Sequence, residues 1–228
     1  MKHDSKNSDE VMIIKEINKI KVTKPEVSGM LVENPSKLPV ISLEEKRVVI
    51  GIDDKRCAVF YEEEEKAEKE FQALQMGAAR GITPFVYGRR GNYVVMELIQ
   101  APSIADYLKN NPLTKDLTKQ LLALLDDFKT AGFTRIDHDP AFIYLMPDGN
   151  LKVLNLHRHL KLPAKSFPQR MIKGMGKHVT NFLQYVKELQ PDMYNTWSLH
   201  PKFNAVIAKA KSAGQQSKAV ENNESSHD

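Results

Sequence analysis

The segment from Gly132 to His157 constrains the fold more than any other part of this sequence. It reads GFTRIDHDPAFIYLMPDGNLKVLNLH. Gly132 follows a leucine-rich helical pattern, as expected at a helix end. The Asp148-Gly149 pair separates two short apolar runs, a pattern typical of a β-hairpin. The segment therefore predicts a helix exit, a tight polar loop and two short antiparallel strands.

The bulk properties fit one domain of moderate size or two small lobes. The chain has 228 residues, of which 41% are hydrophobic and 27% charged, ordinary values for a globular protein. No apolar run approaches the ~20 residues that span a bilayer, and the charged start MKHDSKNSDE lacks the apolar core of a signal peptide. The single cysteine, Cys57, excludes an intramolecular disulfide. We expect a cytoplasmic protein without a membrane span.

Positive charge is concentrated in the second half. Residues 151–218 contain 12 Lys and Arg against two acids, a balance of +10, so the remainder must carry −6 of the net +4. A basic half could meet nucleic acid, an acidic partner or an anionic membrane. A solvated, lysine-rich helical surface explains the same charge. No recognised nucleic-acid-binding motif in the sequence favours a binding role for these residues.

The first half predicts strands with one inserted helix. Residues 1–10 are polar and predicted to be disordered. Residues 11–45 read as an N-terminal extension, with a short strand or helix and then an irregular segment. From 46 to 99 we predict a hairpin around residues 53–55, a helix that begins in the glutamate run, and a second strand pair around residues 89–92.

The second half, residues 100–211, predicts helices around the strand pair. Ser103 is a candidate N-cap, with Asp106 three residues on. Five apolar residues share one helical face before Gly132: Leu117, Leu121, Leu124, Leu125 and Phe128. A later helix is interrupted near Gly174 and Gly176 and is closed by Pro191. A last helix covers 201–211, and residues 212–228 are predicted to be disordered.

The order of these elements and the Gly132–His157 segment together resemble the protein kinase-like superfamily, in a compact form like bacterial serine/threonine kinase-related proteins. The stretch Gly132-Phe133…Asp137…Pro140…Ile143 follows the catalytic-loop pattern, and DGNLKVLNLH follows the metal-binding loop. The resemblance covers residues 47–156. It implies an α+β, two-lobed fold with a strand-rich N-lobe and a reduced helical C-lobe. It makes ATP the candidate cofactor, and the residues by themselves assign no cofactor.

In the first lobe the resemblance assigns several nucleotide-binding positions. Met96 matches the gatekeeper, and Glu97, Leu98 and Ile99 match the hinge that faces adenine. Glu70 matches the helix glutamate, although Glu68 fits nearly as well. Phe60 stands where the phosphate-binding lysine is expected; Lys55 or Lys66 could substitute. The Gly-rich loop is represented by IGIDDKR, which has one glycine.

In the second lobe the resemblance makes Asp137 the candidate catalytic base. Phe142 occupies the position of the metal-binding asparagine, and Asn155 that of the metal-binding aspartate. Mg²⁺ requires oxygen ligands, so both metal positions are altered at once. His138, His157 and His159 would need proximity in the fold to bind a metal, and we predict no metal site.

Three functions follow from these residues. The first is a pseudokinase that acts as a binding or regulatory module, with a protein partner and little or no phosphoryl transfer. The second is an active atypical serine/threonine kinase in which Asp137 is the base, with Asp139 and Asn155 as metal ligands. The third is a basic docking module for nucleic acid or an acidic protein. We favour the first, because uncompensated triphosphate charge is costly to bind.

Overall fold

The computed structural model describes residues 14–23 and 29–224, so the predicted disorder of residues 1–10 lies outside the described part. Two compact units are present. Unit 1 combines Met1–Gln75 with Pro84–Ile99, and unit 2 combines Met76–Thr83 with Gln100–Asp228. Unit 1 is rich in strands and unit 2 is mainly helical. The predicted mixed α and β fold with a small strand-rich first part is confirmed.

Unit 1 is built around an antiparallel sheet. Its strands are β1 (Lys21–Thr23), β2 (Leu31–Glu33), β3 (Val40–Leu43), β4 (Arg47–Gly51), β5 (Arg56–Tyr61), β6 (Val86–Arg90) and β7 (Tyr93–Glu97). The first two pair with each other, and the other five form one sheet in the order β3-β4-β5-β7-β6. One helix, α1 (Glu64–Ala78), is inserted between β5 and β6. Both predicted hairpins, around residues 53–55 and 89–92, are confirmed.

The two faces of this sheet bury different partners. Successive strand residues point to opposite faces, so Tyr61 and Phe60 of β5 are separated by the sheet. Tyr61 lies on the side of Glu70 in α1, whose charge acts on its hydroxyl. Phe60 belongs to a buried cluster with Ile17 and Ile20 of the N-terminal segment. Unit 1 is thus a sheet covered on one face by α1 and on the other by residues 14–23 and 29–38.

The described residues of the predicted N-terminal extension pack onto the main sheet. Strand β3 is an edge strand of this sheet, and the segment before it contributes buried side chains to the core. The Asn18 side chain accepts a hydrogen bond from the Tyr93 hydroxyl at 2.7 Å, and Asn92 donates to the Val22 carbonyl. The apolar residues of these short segments give only a weak strand signal in the sequence, because prolines separate them.

Unit 2 contains a strand pair and a set of helices. The elements are α2 (Ile104–Asn110), α3 (Lys115–Thr130), β8 (Ile143–Leu145), β9 (Leu151–Val153), α4 (Gln169–Gly174), α5 (Val179–Leu189), α6 (Pro191–Ser198) and α7 (Phe203–Glu224), with 3₁₀ turns at Pro140–Phe142 and Gly176–His178. Ser103 caps α2 as predicted, since its hydroxyl accepts from the Asp106 N–H at 3.0 Å. The predicted apolar face of α3 is buried, and Gly132 follows the helix with φ +86°.

Pro191 closes the preceding helix as predicted, since α5 ends at Leu189. It also begins α6, because proline fits the first helical turn, where its missing N–H is not needed. Helix α7 extends beyond the predicted residues 201–211 and reaches Glu224. The helix buries Phe203, Val206 and Ala210 on one stripe. A side chain at Gly214 would come within 2.5 Å of the Lys177 backbone, so only glycine permits this close approach.

Candidate functional site

The Gly132–His157 segment forms a compact loop and ribbon in unit 2. Asp137 follows the end of α3, and Asp139 caps the 3₁₀ turn Pro140–Phe142 by accepting from the Ala141 N–H at 3.1 Å. Strands β8 and β9 then pair in antiparallel register, with Ile143 opposite Val153. The hairpin predicted from the Asp-Gly turn is therefore confirmed.

Asp137, the predicted base, is held by the helix that follows the ribbon. Its Oδ1 accepts a hydrogen bond from the Arg170 backbone N–H in the first turn of α4, at 2.5 Å. Burial raises the pKa of this carboxyl, and the Arg170 N–H and the positive charges of Lys165 and Arg170 oppose that rise. A carboxyl of this kind can accept a proton, but one of its oxygens is already engaged.

Hydrogen bonds from Thr134 and Arg135 hold residues 159–165 beside this loop. Thr134 donates from its hydroxyl to the carbonyls of His159 and Lys161, both at 2.9 Å. The Arg135 guanidinium donates to the carbonyls of Lys161 and Leu162 at 2.9 and 3.0 Å. Arg135, which replaces a histidine of the kinase pattern, therefore serves as a backbone clamp for the segment that follows the metal-loop position.

Residues of this loop take part in a cluster of packed aromatic rings. His138 is buried, and its ring lies 4.7 Å from that of His159 and 5.7 Å from that of Phe128. Phe133 packs on Phe128 at 5.5 Å. Burial lowers the pKa of His138 to about 4, which keeps the imidazole neutral near pH 7. These two histidines, considered as metal ligands from the sequence, lie together as part of an aromatic core.

Phe142 and Asn155, which the sequence resemblance matched to metal-binding positions, lie at the same end of the ribbon. The Phe142 carbonyl accepts a hydrogen bond from the Leu154 N–H at 3.1 Å, so residues 142 and 154 are direct neighbours. Asn155 has a left-handed backbone with φ 66°, a conformation that asparagine tolerates better than most residues. Among the described residues, no group of three His, Cys, Asp or Glu side chains is arranged to hold a metal ion.

On the α1 side of the unit 1 sheet, strand β5 presents uncharged side chains, Cys57, Val59 and Tyr61. Glu70 is fully buried, whereas Glu68, the alternative, binds Arg89 at 2.6 Å. The strand residue beside Glu70 is Tyr61, whose pKa burial and the Glu70 charge raise. Phe60, the predicted lysine position, faces the other side. Because side chains alternate along a strand, the sequence alone places residues 57, 59 and 61 on one face of β5. It does not show which face of this strand packs against α1.

The other candidate nucleotide groups have local partners. Lys66 pairs with Glu62 and Glu63 within the helix start, and Lys55 is exposed on the hairpin turn. The hairpin IGIDDKR, matched to the Gly-rich loop, connects β4 and β5. Asp53 caps this turn by accepting from the backbone N–H groups of Lys55 and Arg56 at 2.9 and 2.7 Å.

The predicted hinge residues are the end of β7 and its exit. Met96 is buried, and Glu97 binds the backbone of Phe85 through both its N–H and its carboxylate. The Leu98 N–H donates to the Lys55 carbonyl at 2.7 Å. This donor is therefore already used within unit 1. Ile99 is half-buried at the end of the unit.

The only cysteine offers no nucleophile. Burial raises the pKa of the Cys57 thiol to about 12, so the thiolate is essentially absent at neutral pH.

Among the described residues, no helix combines the length and apolar character needed to cross a bilayer.

The contact of α4 with the loop gives a stability prediction. A Cβ at Gly174 would lie 2.6 Å from Cδ of Pro140, so Gly174→Ala must push α4 away from the turn that follows Asp137. We expect a loss of about 1–3 kcal/mol in the free energy of unfolding, measured by denaturant titration. Gly88→Ala is the matched control, since a Cβ there meets nothing within 4 Å. Equal stability of Gly174→Ala and wild type would contradict this packing.

Comparisons with known proteins give only remote similarity. No protein-family profile and no curated protein matches the chain. A co-crystal structure of WbdD with the kinase inhibitor LY294002 matches 78% of this chain and 46% of its own, with 16% identity and a TM-score of 0.47. Monomeric WbdD matches 73% of this chain and 44% of its own, with 15% identity and a TM-score of 0.45. The bifunctional kinase-methyltransferase WbdD at medium resolution gives 16% identity and a TM-score of 0.42, over 75% of this chain and 43% of its own.

The chain therefore spans less than half the length of these matched structures. All three TM-scores lie below 0.5, a level of similarity that establishes neither a shared family nor a shared activity.

Proposed function

We propose that this chain is a protein kinase-like module that acts by binding a partner protein and that transfers phosphoryl groups weakly or not at all. The order of elements in unit 1 supports the kinase-like part of the proposal. A helix follows the third strand of a five-stranded antiparallel sheet, and two further strands complete it. In unit 2, a polar loop and a two-stranded ribbon follow a long helix, as the kinase resemblance implies.

The loss of phosphoryl transfer rests on one observation above all. The resemblance matches Phe142 and Asn155 to the two positions with which a kinase holds Mg²⁺, and the residue before Asn155, Leu154, donates a hydrogen bond to the Phe142 carbonyl. A phenyl ring supplies no oxygen ligand, and an amide supplies no negative charge. Phosphoryl transfer depends on metal ions that neutralise the phosphates, so a site with these residues lacks its main source of positive charge.

The strand that should carry the phosphate-binding lysine supports the same conclusion. The buried residues of β5 on the α1 face are Cys57, Val59 and Tyr61. Each is uncharged at neutral pH, and Tyr61 takes the place beside Glu70. The lysine that forms the nucleotide-positioning ion pair in active kinases therefore has no counterpart among these three residues of β5.

Radiolabel transfer tests the proposal. With γ-³²P-labelled ATP and either Mg²⁺ or Mn²⁺, we expect wild type and Asp137→Ala to label themselves and a generic protein substrate equally, at background level. Label that appears in wild type and disappears in Asp137→Ala would overturn the proposal. Asp126→Ala is the matched control, since it removes an exposed carboxylate on α3 that binds only Lys129 at 2.9 Å.

A second variant tests whether ATP binding can be gained. Phe142→Asn combined with Asn155→Asp restores both ligand types, and we expect Mg²⁺-dependent ATP binding that wild type lacks. Binding is measured as a rise in the unfolding temperature, because a ligand at 100 times its Kd adds about 2.7 kcal/mol to stability. No gain in this variant, with its fold intact, would contradict the matching of these two positions to the metal ligands.

The active atypical kinase is the second candidate, and the surroundings of Asp137 favour it. Burial raises the pKa of this carboxyl, and Lys165 and Arg170 lie close enough to act on its charge. A base with two cations beside it is suited to an anionic substrate. The same labelling experiment separates the two functions, because only the active kinase requires Asp137.

A further inference from the structure

A cavity of about 310 Å³ lies on the unit 1 sheet face that the N-terminal segment covers. It is bounded by the helical turn at residues 14–17 and by strands β5, β6 and β7. Its apolar surface is formed by Ile17, Ile52, Tyr93 and Val95. This volume is at the lower end of the range for small-molecule sites, which are usually apolar with a few placed polar groups.

The polar groups at the rim of this cavity are positive. Arg56 and Arg90 line it, together with the half-exposed ring of Tyr87. The Arg56 guanidinium lies 5.7 Å from the centre of the Tyr87 ring and also pairs with Asp53 at 2.7 Å. Arg90 is exposed, and within the described part of the chain it has no ion pair. The rim thus carries more positive than negative charge.

The acids closest to this cavity, Asp53 and Glu97, lie beside Arg56 and outside the described residues that line the cavity. The described residues that line the cavity include three arginines and no acid. Arg89, the third, pairs with Glu64 and Glu68 of α1 on the other sheet face. Arg90 stands opposite Tyr93, and Arg56 stands opposite Glu97. The two arginines on the cavity face are therefore four residues apart along the sheet, about 13 Å, with the apolar surface between them.

We propose that this cavity binds a small organic anion with a flat or branched apolar body. The body packs on Ile17, Ile52 and Val95, and the anionic group, a carboxylate or sulfonate, binds the Arg90 guanidinium. Arg56 and Tyr87 form a cation–π pair that lines the opposite end. The cavity faces away from α1, so this binding is independent of the metal and catalytic positions considered above.

Gly88 provides a way to close the cavity without disturbing the fold. It lines the cavity at strand β6, opposite Val95. A Cβ added there meets nothing within 4 Å, so Gly88→Leu introduces a larger side chain at the cavity wall without a clash at its Cβ. Arg90→Gln removes the positive charge and keeps most of the side-chain length. Arg158→Gln, an equal charge change at an exposed residue of unit 2, is the matched control.

The test is a fluorescence titration of the full chain with 8-anilinonaphthalene-1-sulfonate. We expect one saturable site in wild type and in Arg158→Gln. Binding should be about tenfold weaker in Gly88→Leu and in Arg90→Gln, which corresponds to a loss of about 1.4 kcal/mol. The neutral probe N-phenyl-1-naphthylamine, with the same rings and no sulfonate, should also bind about tenfold more weakly to wild type.

Three outcomes would overturn the proposal. The first is absence of saturable binding by the sulfonate probe. The second is an unchanged Kd in Gly88→Leu and Arg90→Gln, which would locate the probe elsewhere. The third is equal affinity for the neutral probe, which would remove the anionic requirement. If Gly88→Leu unfolds, as thermal unfolding would reveal, Arg90→Gln and the neutral probe still decide the question.

Discussion

Replacing Phe60 with alanine should destabilise unit 1 by about 3–5 kcal/mol, the range for removal of a buried phenyl ring. The side chain is 1% exposed. Its ring lies 5.0 Å from that of Tyr93, and it shares a buried cluster with Ile17 and Ile20. Because these two isoleucines come from the N-terminal segment, the substitution should also loosen residues 14–22 from the sheet.

The measurement is the free energy of unfolding from denaturant titration, with hydrogen exchange of residues 14–22 as a local readout. Phe85→Ala is the matched control, since the same side chain is lost at a site that is 64% exposed in the same unit. We expect that control to change stability by less than about 1 kcal/mol. A similar loss in both variants would show that Phe60 is not a core residue of this sheet face.

Acidification should destabilise unit 2 through His138. Burial lowers the pKa of this residue in the folded chain to about 4, from 6.5 for an ordinary histidine. Between these two values the unfolded chain binds a proton that the folded chain does not bind, so stability falls as the pH falls through this window. The full difference corresponds to about 3 kcal/mol. The loss of stability through His138 is absent above pH 6.5 and is complete by pH 4.

The experiment compares the free energy of unfolding of wild type and His138→Phe from pH 7 to pH 4. The variant keeps an aromatic ring beside Phe128 and His159 and removes the titrating group, so its stability should depend less on pH. The raised pKa of Asp137 acts with the opposite sign, but it is common to both proteins and cancels in the difference. His200→Phe is the matched control, since it makes the same substitution at a half-buried residue that stacks on Phe167 at 4.1 Å.

Local structure was largely predictable from the sequence. Turn chemistry at residues 53–55, 89–92 and 148–149 specified the hairpins, because few residue types adopt tight turns. The Ser103 cap and the apolar stripe of α3 specified two helices. Each of these signals involves residues close in sequence, and hydrogen bonding or helical periodicity within a few residues is sufficient to produce them.

Distant residues decide what local signals leave open. The residues after 211 are polar, and α7 nevertheless continues to Glu224; the helix begins at Phe203 and buries a stripe against the Gly176–His178 turn, where Gly214 allows close contact. Helix stability in proteins comes mainly from such packing rather than from propensity. Likewise, residues 14–23 and 29–38 lack strong local signals, and their apolar side chains are buried against the sheet.

The candidate site was predictable in position but not in its contacts. The sequence placed Asp137, Phe142 and Asn155 around one loop and ribbon. It gave no indication that the Arg170 N–H binds the Asp137 carboxylate, since the two residues are separated by the ribbon and lie in different elements. It also placed Phe60 at the lysine position, whereas the neighbour of Glu70 is Tyr61.

The amino-acid sequence by itself determined the order of elements, the ends of the hairpins and most helices, and the residue types at the altered metal positions. Only the tertiary structure decided which face of β5 meets α1, what covers the other face, and that His138 is a buried neutral ring. The physical reason is that alternation and periodicity are local and leave opposite faces equivalent. The faces become distinct only when residues far apart in sequence pack against them and remove one set from water.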